Sequence, residues 1–309
     1  MSFSATAKAE VCRVPAGNEC CEQAELAAML HTAGSISISG GGFTLRLDTE
    51  NAAVARRAFA LIKRLYGVNA ATQMHSNQLK NNHIYSLTID KSVARMVAVD
   101  VRLMGEEGLG LGTDMSFLSS YCCKVAFVRG AFLGGGSVTN PEKRYHMEFV
   151  CGQKEFADGL LNIISELGIA ARMIPRGKSF VVYLKEGDAI VTLLTMIGAH
   201  VSILNIENIR VMKSVRNSVN RKVNCETGNL SKTVNASLRQ QESIEYIRIH
   251  LGLDKLAPGL REVAEARLDN PDASLEELAD MLGAASRSGI NHRLRKLNSI
   301  AEQLKMTRG

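Results

Sequence analysis

The sequence predicts an α+β fold: a duplicated α-β-β-α-β-β-α domain followed by an all-α domain. Three observations predict it. The chain resembles itself when shifted by 102 residues, each copy alternates helix-type with strand-type apolar periodicity, and strand-type segments cease from Ser214 onward. With 309 residues, 46% of them hydrophobic and 22% charged, the chain can bury a core in each of two units, which excludes a disordered or fibrous protein.

The first helix of each copy opens on adjacent cysteines: CCEQAELAAMLHTAGSI from Cys20 and CCKVAFVRGAFLGGGSV from Cys122. Shifted by 102 without a gap, Cys20, Cys21, Ala24, Gly34 and Ser35 fall on Cys122, Cys123, Ala126, Gly136 and Ser137. An alternating strand follows, FTLRL (Phe43 to Leu47) in one copy and YHMEF (Tyr145 to Phe149) in the other. VARRAFALIKRL and FADGLLNIISEL come next, with apolar residues three and four apart as in amphipathic helices. After a one-residue slip near Tyr66, HIYSLTI and SFVVYLK supply a further strand, and VARMVAVDVRLM and AIVTLLTMIGA close the copies as helices. The halves span residues 1–104 and 105–219 and are expected to pack about a pseudo-two-fold axis. Ala24, Ala27, Ala28 and Ala33 in one opening helix, and Ala126, Gly130, Ala131, Gly134 and Gly135 in the other, predict close backbone approach there. A glycine inside a helix costs about 1 kcal/mol relative to alanine, so the run GAFLGGGS requires a packing reason. GEEGLGLG (Gly105 to Gly112) reads as a linker between the halves.

From Ser214 the composition turns to Asn, Ser and basic residues, with nine Lys/Arg against four Asp/Glu between Arg210 and Lys255. Residues 220–257 read as a basic, polar linker leading into a helix from about Thr233. Arg216, Arg221, Lys222 and Lys232 are its candidate phosphate contacts. Residues 258–309 form the all-α domain. Pro258-Gly259 punctuates the chain before the amphipathic LREVAEARL. Ser274 and Glu277 make a capping box ahead of a short helix with Leu275, Leu278, Ala279 and Leu282 on its apolar face. Gly283 breaks that helix, Ser286 or Ser288 caps the next, and Ile290, Leu294 and Leu297 point inward. From Ser286 to Gly309 there are six basic residues and one acid, whereas the preceding short helix is acidic.

Two short helices joined by a glycine turn, the second polar and basic, form a helix-turn-helix. Its candidate DNA-binding residues are Ser274, Ser286, Arg287, Ser288, Asn291, His292, Arg293, Arg295 and Lys296. Arginine pairs bidentately with guanine and asparagine with adenine, each contact adding about 1–3 kcal/mol of discrimination. The plain alternative is a helical hairpin with a solvated basic face, and the contrast in charge between the paired helices favours DNA. His292 reads as a surface or phosphate-contacting residue rather than a metal ligand.

The net charge of +6 suits a polyanionic partner. Seven cysteines with no CxxC pair and no zinc-type spacing point to a reducing cytosol and to neither disulfides nor a metal. The start, MSFSATAKAEVCRV, lacks the apolar core of a signal peptide, and no apolar run reaches membrane-spanning length. Neither GEEGLGLG nor GAFLGGGS matches the GxxxxGK[ST] phosphate cradle. No catalytic residue, cofactor or metal is expected.

LAAMLHTAGSI (Leu26 to Ile36) and VRGAFLGGGSV (Val128 to Val138) resemble the LAGLIDADG motif of homing endonucleases. The resemblance implies two motif helices packed together and sheets forming a saddle over DNA, with Arg46, Lys143, Arg144, Arg172, Arg176 and Lys178 as candidates on the saddle. It also implies a metal-binding acid near each motif end, and those positions fall on Ala33 and Gly135, which offer magnesium no oxygen. Glu22, Glu25 and Asp48 lie elsewhere in the pattern. The implied molecule is a catalytically inactive relative, with a residual nuclease as the alternative.

Such a LAGLIDADG-like domain followed by a helix-turn-helix resembles the WhiA family of bacterial regulators. MSFS, GGGSVTNPEKRYHMEF, NRKVNCETGNLSKTV and SRSGINHRLRKLNSIAEQL carry that likeness, which extends over nearly the whole chain. It implies a nucleoid-associated cytoplasmic protein that binds double-stranded DNA and serves sporulation, cell division or chromosome segregation. A second regulator or a division protein is the partner class implied for the LAGLIDADG-like domain, which would then be a DNA-tethered scaffold. The turn LGAASRSG departs from the proline-containing loop expected of the family.

Overall fold

The N-terminal segment, read from the sequence only as polar, is a helix. α1 (Phe3–Val11) is capped by Ser2, whose Oγ accepts from the Ala5 N–H at 3.2 Å, and it buries Ala7 and Val11. The computed structural model describes residues 2–15, 17–39, 42–77, 82–104, 115–283 and 286–308. The expected linker at 105–112 lies outside the described residues.

The duplication is as expected. The first copy runs α2 (Glu19–Ala33), β1 (Gly34–Ser39), β2 (Gly42–Thr49), α3 (Ala52–Tyr66), β3 (Ala71–Asn77), β4 (Asn82–Ile89) and α4 (Lys91–Asp100). The second runs α5 (Tyr121–Gly135), β5 (Gly136–Val138), β6 (Met147–Cys151), α6 (Lys154–Glu166), β7 (Arg172–Arg176), β8 (Ser179–Leu184) and α7 (Gly187–Ile197). Each sheet is antiparallel and has the same order, β1-β2-β4-β3 and β5-β6-β8-β7. The second copy turns its last hairpin more tightly: Arg176 pairs with Ser179, and Gly177 takes φ 61° between them.

α2 and α5 pack on each other along their length. Residues related by the shift of 102 stand face to face, as a two-fold axis demands: the Cys21 and Cys123 sulfurs are 3.9 Å apart. A Cβ built on Gly130 would lie 3.0 Å from the Ala28 Cβ, and one built on Gly134 would lie 2.0 Å from the Thr32 Oγ1. These glycines are therefore the price of the close approach predicted for GAFLGGGS. Around the pair, Leu45, Leu47, Leu87 and Ile89 of one sheet and Met147, Phe149, Val182 and Leu184 of the other turn inward and are at most 1% exposed. Each such side chain contributes about 1.5–3 kcal/mol by leaving water.

The chain divides into two compact units, Met1–Met212 and Lys213–Gly309. α8 (His200–His250) is one helix of 51 residues, part in each unit. In the first unit, the Glu10 carboxylate of α1 caps its start by accepting from the Ser202 N–H at 3.0 Å and the Ser202 Oγ–H at 2.8 Å. The linker read at residues 214–232 is therefore helical, a correction. Asn and Ser cost only tenths of a kcal/mol each in a helix, and the stretch holds no proline and one glycine, Gly228.

In the second unit α9 (Pro258–Asp269), α10 (Leu275–Met281) and α11 (Arg287–Arg308) follow. Pro258 is the first residue of α9 rather than a break before it, a position where its missing N–H costs nothing. Ile244 and Ile247 of α8 join Val263, Ala264, Leu278, Ile290, Leu294 and Leu297 in a separate small core.

Candidate nucleic-acid interface

The helix-turn-helix is built as the sequence implies. Ser274 Oγ accepts from the Glu277 N–H at 3.2 Å, and a Glu277 carboxylate oxygen accepts from the Ser274 N–H at 2.7 Å. That backbone N–H holds the Glu277 carboxyl below its usual range. Ser274 thus serves the backbone of α10. Gly283 takes φ 66° at the turn. Of the two serines considered as caps for α11, Ser286 is the one: its Oγ accepts from the Gly289 N–H at 3.2 Å.

Ile290, Leu294 and Leu297 are fully buried, which fixes the rotation of α11. At about 100° per residue, the opposite face carries Ser288, His292, Arg295, Lys296 and Ser299, with Asn291 on its flank. Arg287 stands at the first turn. Arg287, Ser288, His292, Arg295 and Lys296 are exposed and Asn291 is half-buried. Among the described residues, Arg287, Arg293, Arg295 and Lys296 make no ion pair. Arg293 differs from the others: its guanidinium carbon lies 3.5 Å from where a Cβ on Gly259 would stand, so it packs on the start of α9.

A buried arginine that sequence reasoning missed locks this frame. Arg267 is 2% exposed, and its Nη1 donates to the Ala273 carbonyl at 2.6 Å, just before the α10 cap. Burial lowers its pKa from the usual arginine value. Ser237 of α8 donates to the Pro271 carbonyl in the same loop at 2.6 Å. Arg216, Arg221, Lys222 and Lys232 are all exposed on α8. Arg221 and Lys232 share one face, eleven residues apart, and the other two point elsewhere.

In the first unit, the basic residues considered for the saddle are of two kinds. Arg46 donates to Asp48 at 2.8 Å and to Ser86 at 3.0 Å, and Arg176 pairs with Glu148 at 3.0 Å. Partial burial works to raise the Glu148 carboxyl; hydrogen bonds from Arg176 and His146 outweigh it and hold the group low. Lys143, Arg144, Arg172 and Lys178 are exposed. Arg46 and Glu148 are equivalent by the repeat, so the same outward position bears opposite charges in the two sheets.

The motif ends do not fit a divalent metal. Ala33 ends α2 and Gly135 ends α5, and neither bears an oxygen. A Cβ on Gly135 would lie 2.6 Å from the Val150 carbonyl oxygen and 3.0 Å from the Thr32 Cβ, so the space for a side chain is filled. Lys8 of α1 donates from Nζ to the Leu133 carbonyl at 2.9 Å, placing an ammonium at the negative end of α5. Burial brings that ammonium down to about 8. GAFLGGGS closes this helix rather than opening one, unlike a phosphate cradle.

Three family descriptions match in order: the WhiA N-terminal LAGLIDADG-like domain over residues 19–104, the WhiA LAGLIDADG-like domain over 124–216 and the WhiA C-terminal HTH domain over 219–301. The "Probable cell division protein WhiA" of Thermoanaerobacter sp. strain X514 is 47% identical over 316 residues, covering 100% of this chain and 99% of that one. The protein of the same description from Alkaliphilus metalliredigens is 44% identical over 98% of both chains. The chain belongs to the WhiA family. Among solved structures, full-length DUF199/WhiA from Thermatoga maritima is similar over 98% of this chain and 99% of that one, with a TM-score of 0.60 and 26% identity. WhiA membership thus agrees with the fold of both units. The proline expected in the WhiA turn is replaced here at a point where residues 284 and 285 lie outside the described set.

Proposed function

We propose that this WhiA-family chain is a non-enzymatic transcription regulator that binds double-stranded DNA on the nucleoid in the cytoplasm and serves cell division, chromosome segregation or sporulation. The observation that carries the proposal is α11: a helix locked in rotation by its buried face, with a polar outer stripe and arginines that, among the described residues, no carboxylate neutralises. Arg287 and Asn291 reach base edges near its N-terminal end, as helix-turn-helix docking requires. Arg295, Lys296 and the α8 residues Arg216, Arg221, Lys222 and Lys232 contact phosphates, while Arg293 sets the angle of α11 on α9. The relatives named as probable cell division proteins and the match to the WhiA C-terminal HTH domain support this reading.

A second reading is favoured by the ion pairs of Arg46 and Arg176. A sheet whose cations are partly neutralised grips DNA weakly, which suits a first unit that faces a protein partner and is tethered to DNA by the second.

Selection of the intact chain on a randomised duplex library, followed by sequencing, tests the proposal. An enriched motif that is lost in R287A/N291A is the expected result. Retention of DNA without any enriched motif would refute base reading by α11.

A further inference from the structure

We infer that Cys20, Cys21, Cys122 and Cys123 form a tetrathiolate site for Zn²⁺ on the pseudo-two-fold axis, two ligands from each half. The sulfurs of Cys20, Cys21 and Cys123 all lie within 4.8 Å of one another. The Cys21–Cys123 separation is 3.9 Å. A Zn–S bond of about 2.3 Å places tetrahedral sulfurs about 3.8 Å apart, which the Cys21–Cys123 pair already matches and the third sulfur reaches by moving at most about 1 Å. Cys122 lines the same cavity as Cys21 and is the thiol that would complete the set by turning from Ser120, whose Oγ lies 3.2 Å from its Sγ.

Each cysteine pair occupies the second and third positions of its helix, α2 or α5. Two helix N-termini therefore face the cluster, and their positive ends favour the double negative charge of zinc bound by four thiolates. Cys21 and Cys123 are buried; Cys20 and Cys122 are exposed, which gives an ion a way in. A set of four thiolates selects zinc over the hard cations magnesium and calcium. Binding exchanges each thiol proton for a metal bond and changes no oxidation state.

The site stands at the opposite end of α2 and α5 from Ala33 and Gly135, about 20 Å away along helices of this length. It is thus no remnant of the motif-end metal position. It ties the two halves together where the chain between them, about a hundred residues, provides no local constraint. The linear sequence hides it, since adjacent cysteines a hundred residues from their partners match no zinc spacing.

The test uses the intact chain, reduced, stripped with a chelator and kept anaerobic, with Co²⁺ as the spectroscopic probe. The expected result is saturation at one ion per chain, with sulfur-to-cobalt charge transfer and intense tetrahedral visible bands that Zn²⁺ abolishes by displacement. C20S/C122S alters only the exposed pair, and should lose those bands and bind at least about 100-fold more weakly. C225S, which alters a cysteine outside the cluster, should keep them. A weak octahedral spectrum from the wild-type chain, or tetrahedral bands that survive in C20S/C122S, overturns the inference. So does a Cys21–Cys123 disulfide in the untreated chain with no cobalt uptake after reduction.

Discussion

Replacing Gly130 by alanine inverts the effect expected from helix propensity. In an exposed helix, Gly→Ala stabilises by about 1 kcal/mol. At Gly130 the new Cβ would lie 2.0 Å from the Glu25 carbonyl oxygen and 2.8 Å from its carbon, where ordinary contact begins at 3.4 Å. The obstacle is helix backbone, which has no rotamer to change, so α5 must move about 1 Å away from α2. A gap of that size forfeits a quarter to a half of each dispersion contact along the interface. Overpacking of this kind costs about 3 kcal/mol, and the propensity gain offsets about 1. The net loss of about 2 kcal/mol lowers the melting temperature of a unit this size by about 4–8 °C. Gly228→Ala is the paired control, because nothing lies within 4 Å of its Cβ position in α8. Hydrogen exchange read by mass spectrometry should show faster exchange across α2 and α5 in the first variant and slower exchange around residue 228 in the second. The same sign of change in both would refute the close helix approach.

Glu25→Gln should cost about 3–5 kcal/mol, measured as lost thermal stability of the first unit. Glu25 is 1% exposed, binds Arg57 at 2.7 and 2.9 Å and Arg129 at 3.4 Å, and leaves two guanidiniums without a counter-charge when removed. Its hydrogen bonds raise the Arg57 pKa above the usual value. Asp48→Asn, at an exposed pair, should cost less than about 1 kcal/mol in the same assay. His31 stacks on Phe156 with ring centroids 4.8 Å apart, and burial lowers its pKa to about 4. The unfolded chain binds this proton near pH 6.5 and the folded chain does not. Stability is therefore complete above pH 6.5 and falls by about 3 kcal/mol as the pH drops towards 4. Unfolding curves against pH should show that His31→Gln removes this part of the acid sensitivity. Replacing both Arg295 and Lys296 by alanine should weaken binding to all DNA sequences about equally and flatten the log–log salt dependence by about 0.9 per lost phosphate contact. A sequence-dependent loss would instead place them on bases.

The duplication was legible because two different signals repeated together: adjacent cysteines at the head of each opening helix, and two-residue alternation where strands have one buried face. The rotation of α11 was equally legible from Ile290, Leu294 and Leu297. α1 escaped because nine residues with two buried side chains make little amphipathic pattern; Ser2 caps it locally, and Lys8 and Glu10 hold it through tertiary contacts. The helix through residues 214–232 escaped because its Asn and Ser mimic a linker and no buried stripe marks it. Glu25 meets Arg57 and Arg129 across 32 and 104 residues, a distance at which no sequence spacing carries information. Arg267 escaped because its acceptors are backbone carbonyls of the loop before α10, which no side-chain pattern marks.

The filled space at Gly135 has a consequence for redesign. With the Val150 carbonyl and Thr32 in the room a side chain would need, a change to aspartate meets a folded backbone rather than an empty site. The repeat shows the same divergence elsewhere, with Thr32 answered by Gly134 and Ala28 by Gly130. Each half is fitted to the other and not to a copy of itself, so packing alone opposes any side chain at Gly135.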